Sequence, residues 1–192
     1  LFSNRLKITV RHDSNEEYAF RRFYVGRDLA ESGTEVIIFL DDDVSFSFNY
    51  IQNCIKQYEP KTYQSYFAWK FSNNGKDYYK YRKRVFDNIG TIHYCGTGVG
   101  MIDASIFLED RLFNKPEEAV LIEDLWLSYY AQHVMGWKLK FMNQPGTKIG
   151  GNNDSAALWR SIVMKKRSNE INYDKDDFLR KLIKEYGWKL KA

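Results

Sequence analysis

At 192 residues, with 44% hydrophobic and 28% charged side chains, the chain has the length and apolar content of one domain with a sizeable core. That apolar share excludes a disordered chain, and 12 Gly and 3 Pro exclude collagen-like or linker-like sequence. Lys and Arg number 29 against 25 Asp and Glu; most of the +4 excess falls in residues 164–192, which reads as a solvated basic face or a contact for an anionic membrane surface or polyanion.

In chain order, Leu6-Lys7-Ile8-Thr9-Val10 alternates apolar and polar residues and predicts a short strand. Asp13-Ser14-Asn15 offers N-cap chemistry for a helix from Glu16 to Glu31, with Tyr18, Phe20, Phe23, Tyr24 and Leu29 as its apolar stripe and Gly33 as its stop. The run Glu35-Val36-Ile37-Ile38-Phe39-Leu40 predicts a strand buried on both faces, ending at Asp41-Asp42-Asp43. Ile51, Cys54, Ile55 and Tyr58 mark one face of a helix closed by Pro60. Tyr63 to Phe71 reads as an aromatic strand, Asn73-Asn74-Gly75 as a turn, and residues 76–90 as a basic irregular stretch. Ile92 to Ile102 is strand and glycine-rich loop, followed by a short helix from Asp103 to Leu108.

A longer helix is expected over Leu121 to Val134, with Gly136 past its end, then a strand over Trp137 to Met142. Helices from Ser155 to Lys166 and Lys175 to Tyr186 complete the chain, the last amphipathic through Phe178, Leu179, Leu182, Ile183 and Tyr186. Strands alternating with helices predict an α/β domain with a largely parallel central sheet, whose ligands bind beyond the carboxyl ends of the strands. No apolar run reaches the roughly 18 residues of a membrane span. Leu1-Phe2-Ser3-Asn4 lacks the pattern of a signal peptide, and Cys54 and Cys95 read as free thiols in a reducing compartment, so a cytoplasmic setting is expected; the sequence does not start with Met, which leaves room for residues upstream.

Three segments carry chemistry. In an extended backbone Asp41 and Asp43 share a side while Asp42 points away. Two carboxylates on one side form a hard-oxygen half-site for Mg²⁺ or Mn²⁺; the alternative is that they cap the next helix. Gly96-Thr97-Gly98-Val99-Gly100 lets a ligand approach the backbone closely, or is simply a flexible loop or bulge. Ile122-Glu123-Asp124 puts two carboxylates in the first turn of a helix, where they either answer the helix dipole or supply a general base. His12, His93 and His133 show no metal-ligand spacing, and no Ser-His-Asp or Cys-His order singles out a nucleophile.

Together these segments make a recognisable order. Val36-Ile37-Ile38-Phe39-Leu40-Asp41-Asp42-Asp43-Val44, Tyr94-Cys95-Gly96-Thr97-Gly98-Val99-Gly100-Met101-Ile102-Asp103 and Leu121-Ile122-Glu123-Asp124-Leu125-Trp126-Leu127-Ser128-Tyr129 resemble the metal-binding, glycine-rich and Glu-Asp segments of nucleotide-sugar-dependent glycosyltransferases of the GT-A fold, family-2-like. Gly136-Trp137-Lys138-Leu139 follows as it does in that family, and Asn15 and Arg22 have the spacing of its upstream Asn and Arg. The composition, rich in Lys, Asn and Tyr, is similar to that of glycosyltransferases of large DNA viruses, for which the setting would be the host cytoplasm. The resemblance covers about residues 6–165.

It implies a single Rossmann-like GT-A domain over residues 1–192, with 164–192 a basic helical extension. It implies Asp41 and Asp43 as ligands of Mn²⁺ or Mg²⁺, Asp124 as the base, and Arg22, Asp42, Gly96, Thr97, Gly98 and Glu123 as contacts to substrate. The donor would be a UDP-linked or related nucleotide sugar, and the acceptor a glycan, glycoprotein or other hydroxyl compound; no nucleic acid is expected. Two departures stand out. The chain starts after the strand-helix-strand unit that binds the nucleoside in GT-A enzymes, and no His follows His133 to serve as a further ligand, which leaves Asn152, Asn153, Asp154 or water. The rival readings are a metal-dependent phosphoryl-transfer or nuclease enzyme, and a non-catalytic carbohydrate- or polyanion-binding module in which Trp69, Trp126 and neighbouring tyrosines stack on ligands.

Overall fold

A computed structural model describes residues 15–72, 78–149 and 174–190. The expected strand Leu6–Val10, the Asp13-Ser14 cap, His12, the Asn73-Asn74-Gly75 turn, Asn152 to Asp154 and the helix from Ser155 to Lys166 lie outside these residues.

The first predicted helix is interrupted. Asn15–Phe20 forms a 3₁₀ segment broken at Tyr18, whose φ is 41°, and the α-helix proper (α1) runs Arg21–Glu31. Phe20, Phe23, Gly26 and Ala30 are buried, whereas Tyr18 and Leu29 of the expected stripe are exposed. Gly26 is there for close approach: a Cβ on it would lie 3.0 Å from the Phe107 ring. Gly33, at φ 89°, turns the chain into strand β1, Val36–Leu40. Its burial alternates, with Ile37 and Phe39 inside and Leu40 49% exposed, so the expectation of a strand buried on both faces is corrected. Its second face is only half-buried, Val36 and Ile38 packing against a smaller cluster under the helix that follows, and among the described residues β1 has one ladder partner, β7.

After the short β2 (Val44–Ser45), helix α2 spans Tyr50–Gln57. Its buried face is Tyr50 and Cys54; Cys54 is inside as expected, but Ile51 and Ile55 of the expected face are exposed. The aromatic run is two strands, β3 (Thr62–Ser65) and β4 (Ala68–Phe71), in different sheets. The basic stretch is ordered as helix α3 (Tyr78–Tyr81) and strand β5 (Arg82–Val85). Then come β6 (Tyr94–Cys95), β7 (Val99–Asp103), and a 3₁₀ turn Ala104–Leu108 whose cap, Asp103, accepts from the Ser105 N–H. Helix α4 (Asp110–Phe113) precedes α5 (Glu123–Tyr129), which continues as a π turn over Tyr130–Val134. Strands β8 (Lys138–Phe141) and β9 (Lys148–Ile149) follow, and helix α6 spans Lys175–Lys184.

The main sheet has the order β1-β7-β3-β8. Strand β7 is antiparallel to both of its neighbours, and only β3 and β8 pair in parallel. The sheet is therefore mixed rather than largely parallel. The α2 crossover does carry the chain from β1 to a strand running the same way, but the glycine-rich segment returns between them in the opposite direction. A second, antiparallel sheet has the order β5-β4-β6, and β2 pairs with β9.

One hydrophobic cluster runs from Phe20 through Tyr63, Phe107 and Trp126 to Trp188. A smaller cluster, with Val44, Tyr50, Cys54, Val99, Met101 and Met142, packs α2 against the main sheet. Helix α6 belongs to the main cluster through Phe178, Leu179 and Leu182, so this part of the basic tail is built into the domain. No helix among the described residues is long and apolar enough to cross a membrane.

Candidate active site at the end of strand β1

The backbone N–H of Asp41 donates to the Gly98 carbonyl at 3.0 Å, extending the β1–β7 ladder one residue past Leu40. Asp41 therefore sits directly over the glycine-rich segment. Any Cβ at position 98 would strike its carboxylate, which explains a glycine there. Asp42 and Asp43 then turn, with the Val44 N–H reaching back to the Asp41 carbonyl at 3.4 Å, and both are exposed. This corrects the extended geometry expected for the triplet: Asp41 and Asp43 belong to a turn, and no period-2 alternation aligns them. Asp43 is still close enough for its charge to raise the Asp41 carboxyl, as does Asp124.

Arg22, in the first turn of α1, reaches across to this point. Its Nη1 donates to Asp41 Oδ1 at 3.2 Å and its Nε lies 3.9 Å from Glu123 Oε1. Burial raises the Asp41 carboxyl above its ordinary range, and the Arg22 guanidinium opposes that rise. Glu123 opens α5 and is 6% exposed. It accepts a hydrogen bond from the Thr97 hydroxyl at 2.9 Å. Burial and the adjacent Asp124 push its carboxyl up to about 7, against the pull of Arg22.

Asp124 faces the other way, toward β6 and α6. Tyr94 donates its hydroxyl to Asp124 Oδ2, and Lys175 Nζ lies 3.2 Å from the same oxygen. Oδ1 accepts from the Leu125 N–H at 2.8 Å. Ser128 fixes the arrangement: its hydroxyl accepts from the Cys95 N–H at 3.0 Å, which ties α5 to β6 one residue from Tyr94. Both residues of the Lys175–Asp124 pair are about 85% buried, at 16% and 15% side-chain exposure. Burial alone would lower the Lys175 ammonium, but Asp124, with Tyr78 and Glu123 beyond it, holds it above the ordinary lysine range.

The structure thus brings Arg22, Asp41, Thr97, Gly98, Glu123 and Asp124 together. The glycine-rich segment is close-packed rather than an open loop. Gly96 donates its N–H to the Phe67 carbonyl at 2.8 Å, and Gly96, Thr97 and Gly98 are all buried. Their effect on a ligand passes through the carboxylates they support. Lys175 and Tyr94 are the site residues that sequence reasoning did not single out. One signal existed for Lys175: a lysine at the first position of a helix is disfavoured by the helix dipole unless a carboxylate answers it.

His93 is a core residue, 2% exposed, whose Nδ1 accepts from the Phe71 N–H, and His133 stacks on Tyr129. Cys54 and Cys95 are free and buried. Among the described residues no group of three or more His, Cys, Asp or Glu forms a ready metal cage. A depression of about 510 Å³ lined by Glu59, Lys61, Met135 and Trp137 lies at the starts of β3 and β8, the opposite end of the sheet from Asp41. No protein-family model matches the sequence, and no curated protein matches it either.

Proposed function

We propose that the protein is a metal-dependent glycosyltransferase of the GT-A type, moving a sugar from a nucleoside diphosphate, UDP first among them, to an acceptor hydroxyl. The observation that carries this is the convergence of separate segments on one point, Asp41 from β1, Arg22 from α1, Gly98 beneath Asp41 and Glu123 at the start of α5, with Asp124 the next residue along the helix. Asp41 and Asp43 would hold Mn²⁺ or Mg²⁺. Their oxygens are the hard donors these cations take, usually with one or two carboxylates and the rest from phosphate and water. The Asp41 side chain is 36% exposed, which leaves it open to such a ligand. When bound, the cation neutralises charge on the departing diphosphate.

Arg22 adds a second positive charge whose planar fork suits phosphate oxygens. Asp124 takes the proton of the acceptor hydroxyl, and attack from the side opposite the leaving group inverts the anomeric carbon. Tyr94 and Lys175 hold the Asp124 carboxylate in place, and Glu123 steadies Arg22 and the Thr97 hydroxyl. The buried free cysteines accord with a reducing, cytoplasmic setting.

The test is thermal stability with Mn²⁺ and then with UDP-, GDP- and CMP-linked sugars, since a ligand of the native state raises stability by mass action. A rise with one nucleotide class that needs Mn²⁺ and disappears in Asp43→Ala is the expected result. In Asp124→Asn the rise should persist while transfer or donor hydrolysis falls about 10²–10⁴-fold, the usual worth of a general base. Unchanged turnover in Asp124→Asn would overturn its role, and no response to any nucleotide sugar would overturn the donor assignment.

A further inference from the structure

The β4–β5 hairpin carries a second concentration of charge that the site at Asp41 does not use. Arg82 and Arg84 alternate with Lys83 along β5, so the two arginines share one face of the sheet. Arg84 stands opposite Trp69, and Trp69 in turn stands opposite Tyr94. Paired residues of an antiparallel ladder point the same way. One face therefore reads Arg84, Trp69, Tyr94, and the Tyr94 hydroxyl ends at Asp124.

Both guanidinium groups rest on aromatic rings. Arg82 Cζ lies 4.5 Å from the Trp69 centroid and 4.9 Å from Tyr78, and Arg84 Cζ lies 4.7 Å from Phe67 and 4.8 Å from Tyr66. Their polar bonds are few. Arg82 Nη1 donates to the Tyr78 hydroxyl at 2.9 Å, Arg84 Nη2 to the Tyr66 carbonyl at 2.5 Å, and the buried Arg84 Nε has no acceptor. Among the described residues neither arginine meets a carboxylate, whereas Arg22 pairs with Asp41 and Arg27 with Asp110. Burial, and after it the like charge of Arg82, lowers the Arg84 guanidinium below its ordinary value. Each guanidinium has five donors; the Arg84 Nε is buried out of reach, and the remaining Nη donors of the two half-buried arginines are those a ligand would meet. Two exposed rings flank the pair: Tyr79, 39% exposed and 5.6 Å from Arg82, and Phe86, 68% exposed and 5.6 Å from Arg84.

We propose that this face binds a sugar carrying a phosphate or carboxylate, its anion on Arg82 and Arg84 and its ring against Phe86 or Tyr79, while the buried Tyr94 joins the same sheet face to Asp124 from inside the fold. This names an anionic acceptor for the transfer reaction above and rests on that reading. The small footprint, two cations and two exposed rings beside a carboxylate, favours a sugar over a nucleic acid strand, which needs a run of stacking platforms and phosphate contacts.

The experiment uses the full chain and follows the indole resonance of Trp69 by NMR while glucose 6-phosphate, glucuronate, glucose, inorganic phosphate and a short oligothymidylate are titrated. Glucose 6-phosphate or glucuronate should bind saturably and at least about tenfold tighter than glucose or inorganic phosphate, and shift that resonance; the two anions separate phosphate from carboxylate as the charge read. Arg84→Gln and Arg82→Gln should each weaken binding about 10- to 100-fold, the worth of a charged hydrogen bond. Melting curves identify any variant that fails to fold, and the Trp69 shift in the unmodified protein needs no variant.

Equal affinity for glucose, equal affinity for inorganic phosphate, or sugar-anion binding unchanged in a folded Arg84→Gln would overturn the proposal. Tighter, strongly salt-dependent binding of the oligothymidylate would overturn it in favour of nucleic acid. Mn²⁺-dependent binding of any of the UDP-, GDP- or CMP-linked sugars, read on the same sample, separates the two levels. If it is absent while the Trp69 shift persists, the transfer reading falls and the anionic-sugar face stands as a binding surface without transfer.

Discussion

Gly98 leaves room for the Asp41 carboxylate, which a Cβ at position 98 would strike. In Gly98→Ala the new methyl must displace the Asp41 carboxylate, the far end of a short side chain, so the fold should lose only about 1–2 kcal/mol. The Arg22–Asp41 bond should break, and Mn²⁺-dependent nucleotide-sugar stabilisation should be lost; a melting curve with and without ligand reads both.

Glu123 predicts a pH dependence. Its carboxyl rises from an ordinary value of 4.5 to about 7 in the folded chain. The stabilising contribution is thus fully present below about 4.5, where folded and unfolded chains are both protonated, and is lost as pH rises through about 7, where the fold must bury a charge. The loss should be on the order of 3 kcal/mol, and Glu123→Gln should flatten it, as denaturant melts between pH 4.5 and 8 would reveal. Asp41, raised by burial, adds a slope of the same sign.

At this scale the sequence was informative about carboxylates and silent about their partners. Asp41 and Asp124 announce themselves by standing at the end of an apolar strand and the start of a helix, which are local signatures. Lys175 meets Asp124 through tertiary packing alone, and nothing near position 175 says what its ammonium will face.

Helix α6 shows what an element adds to a site. Its apolar positions Phe178, Leu179 and Leu182 seat it in the core, and that docking sets Lys175 beside Asp124. Lys181 secures it with a 2.8 Å ion pair to Glu118. Removing one member of a buried pair leaves the other uncompensated, so Lys175→Met should cost about 3 kcal/mol. Lys175→Met combined with Asp124→Asn should recover part of that loss, a coupling that a double-mutant cycle measures.

The helical period of α6 was plain in the sequence, and so was the existence of α2, but the buried face of α2 was misread. Tyr50 and Cys54 turn inward because Val99, Met101 and Met142 of the smaller cluster lie on that side, which spacing alone does not reveal. The split between β3 and β4 was hidden for a different reason. The run from Tyr63 to Phe71 is rich in aromatic residues and has no Gly or Pro to break it, yet the Ser65 hydroxyl takes the Phe67 N–H at 2.9 Å. A side chain that captures a backbone donor ends a ladder within an otherwise continuous strand pattern.

Across the whole molecule the largest cluster joins α1, both larger sheets, α5 and α6 without a gap. Leu182 is fully buried in it. Leu182→Ala should therefore cost about 2–5 kcal/mol and destabilise the site and the sheet together. Tryptophan fluorescence and far-ultraviolet circular dichroism should report the same midpoint. The α/β class was legible from the alternation of strands and helices. The direction of β7 was not, because its glycine-rich approach carries no mark of which strands it will enter between.

That insertion bears on how the chain first assembles. Strands β1 and β3 are synthesised early, but each lies against β7: Ile37 and Tyr63 both pair with Ile102. Until residues 99–103 have left the ribosome, neither strand can find that neighbour, and Ile37, Phe39 and Tyr63 have no sheet interior to enter. Long-range pairing of this kind is slow and leaves apolar strands exposed while it waits. Yield in a cell would then be governed by the lifetime of that half-built sheet, a kinetic property that the stability of the finished fold does not report.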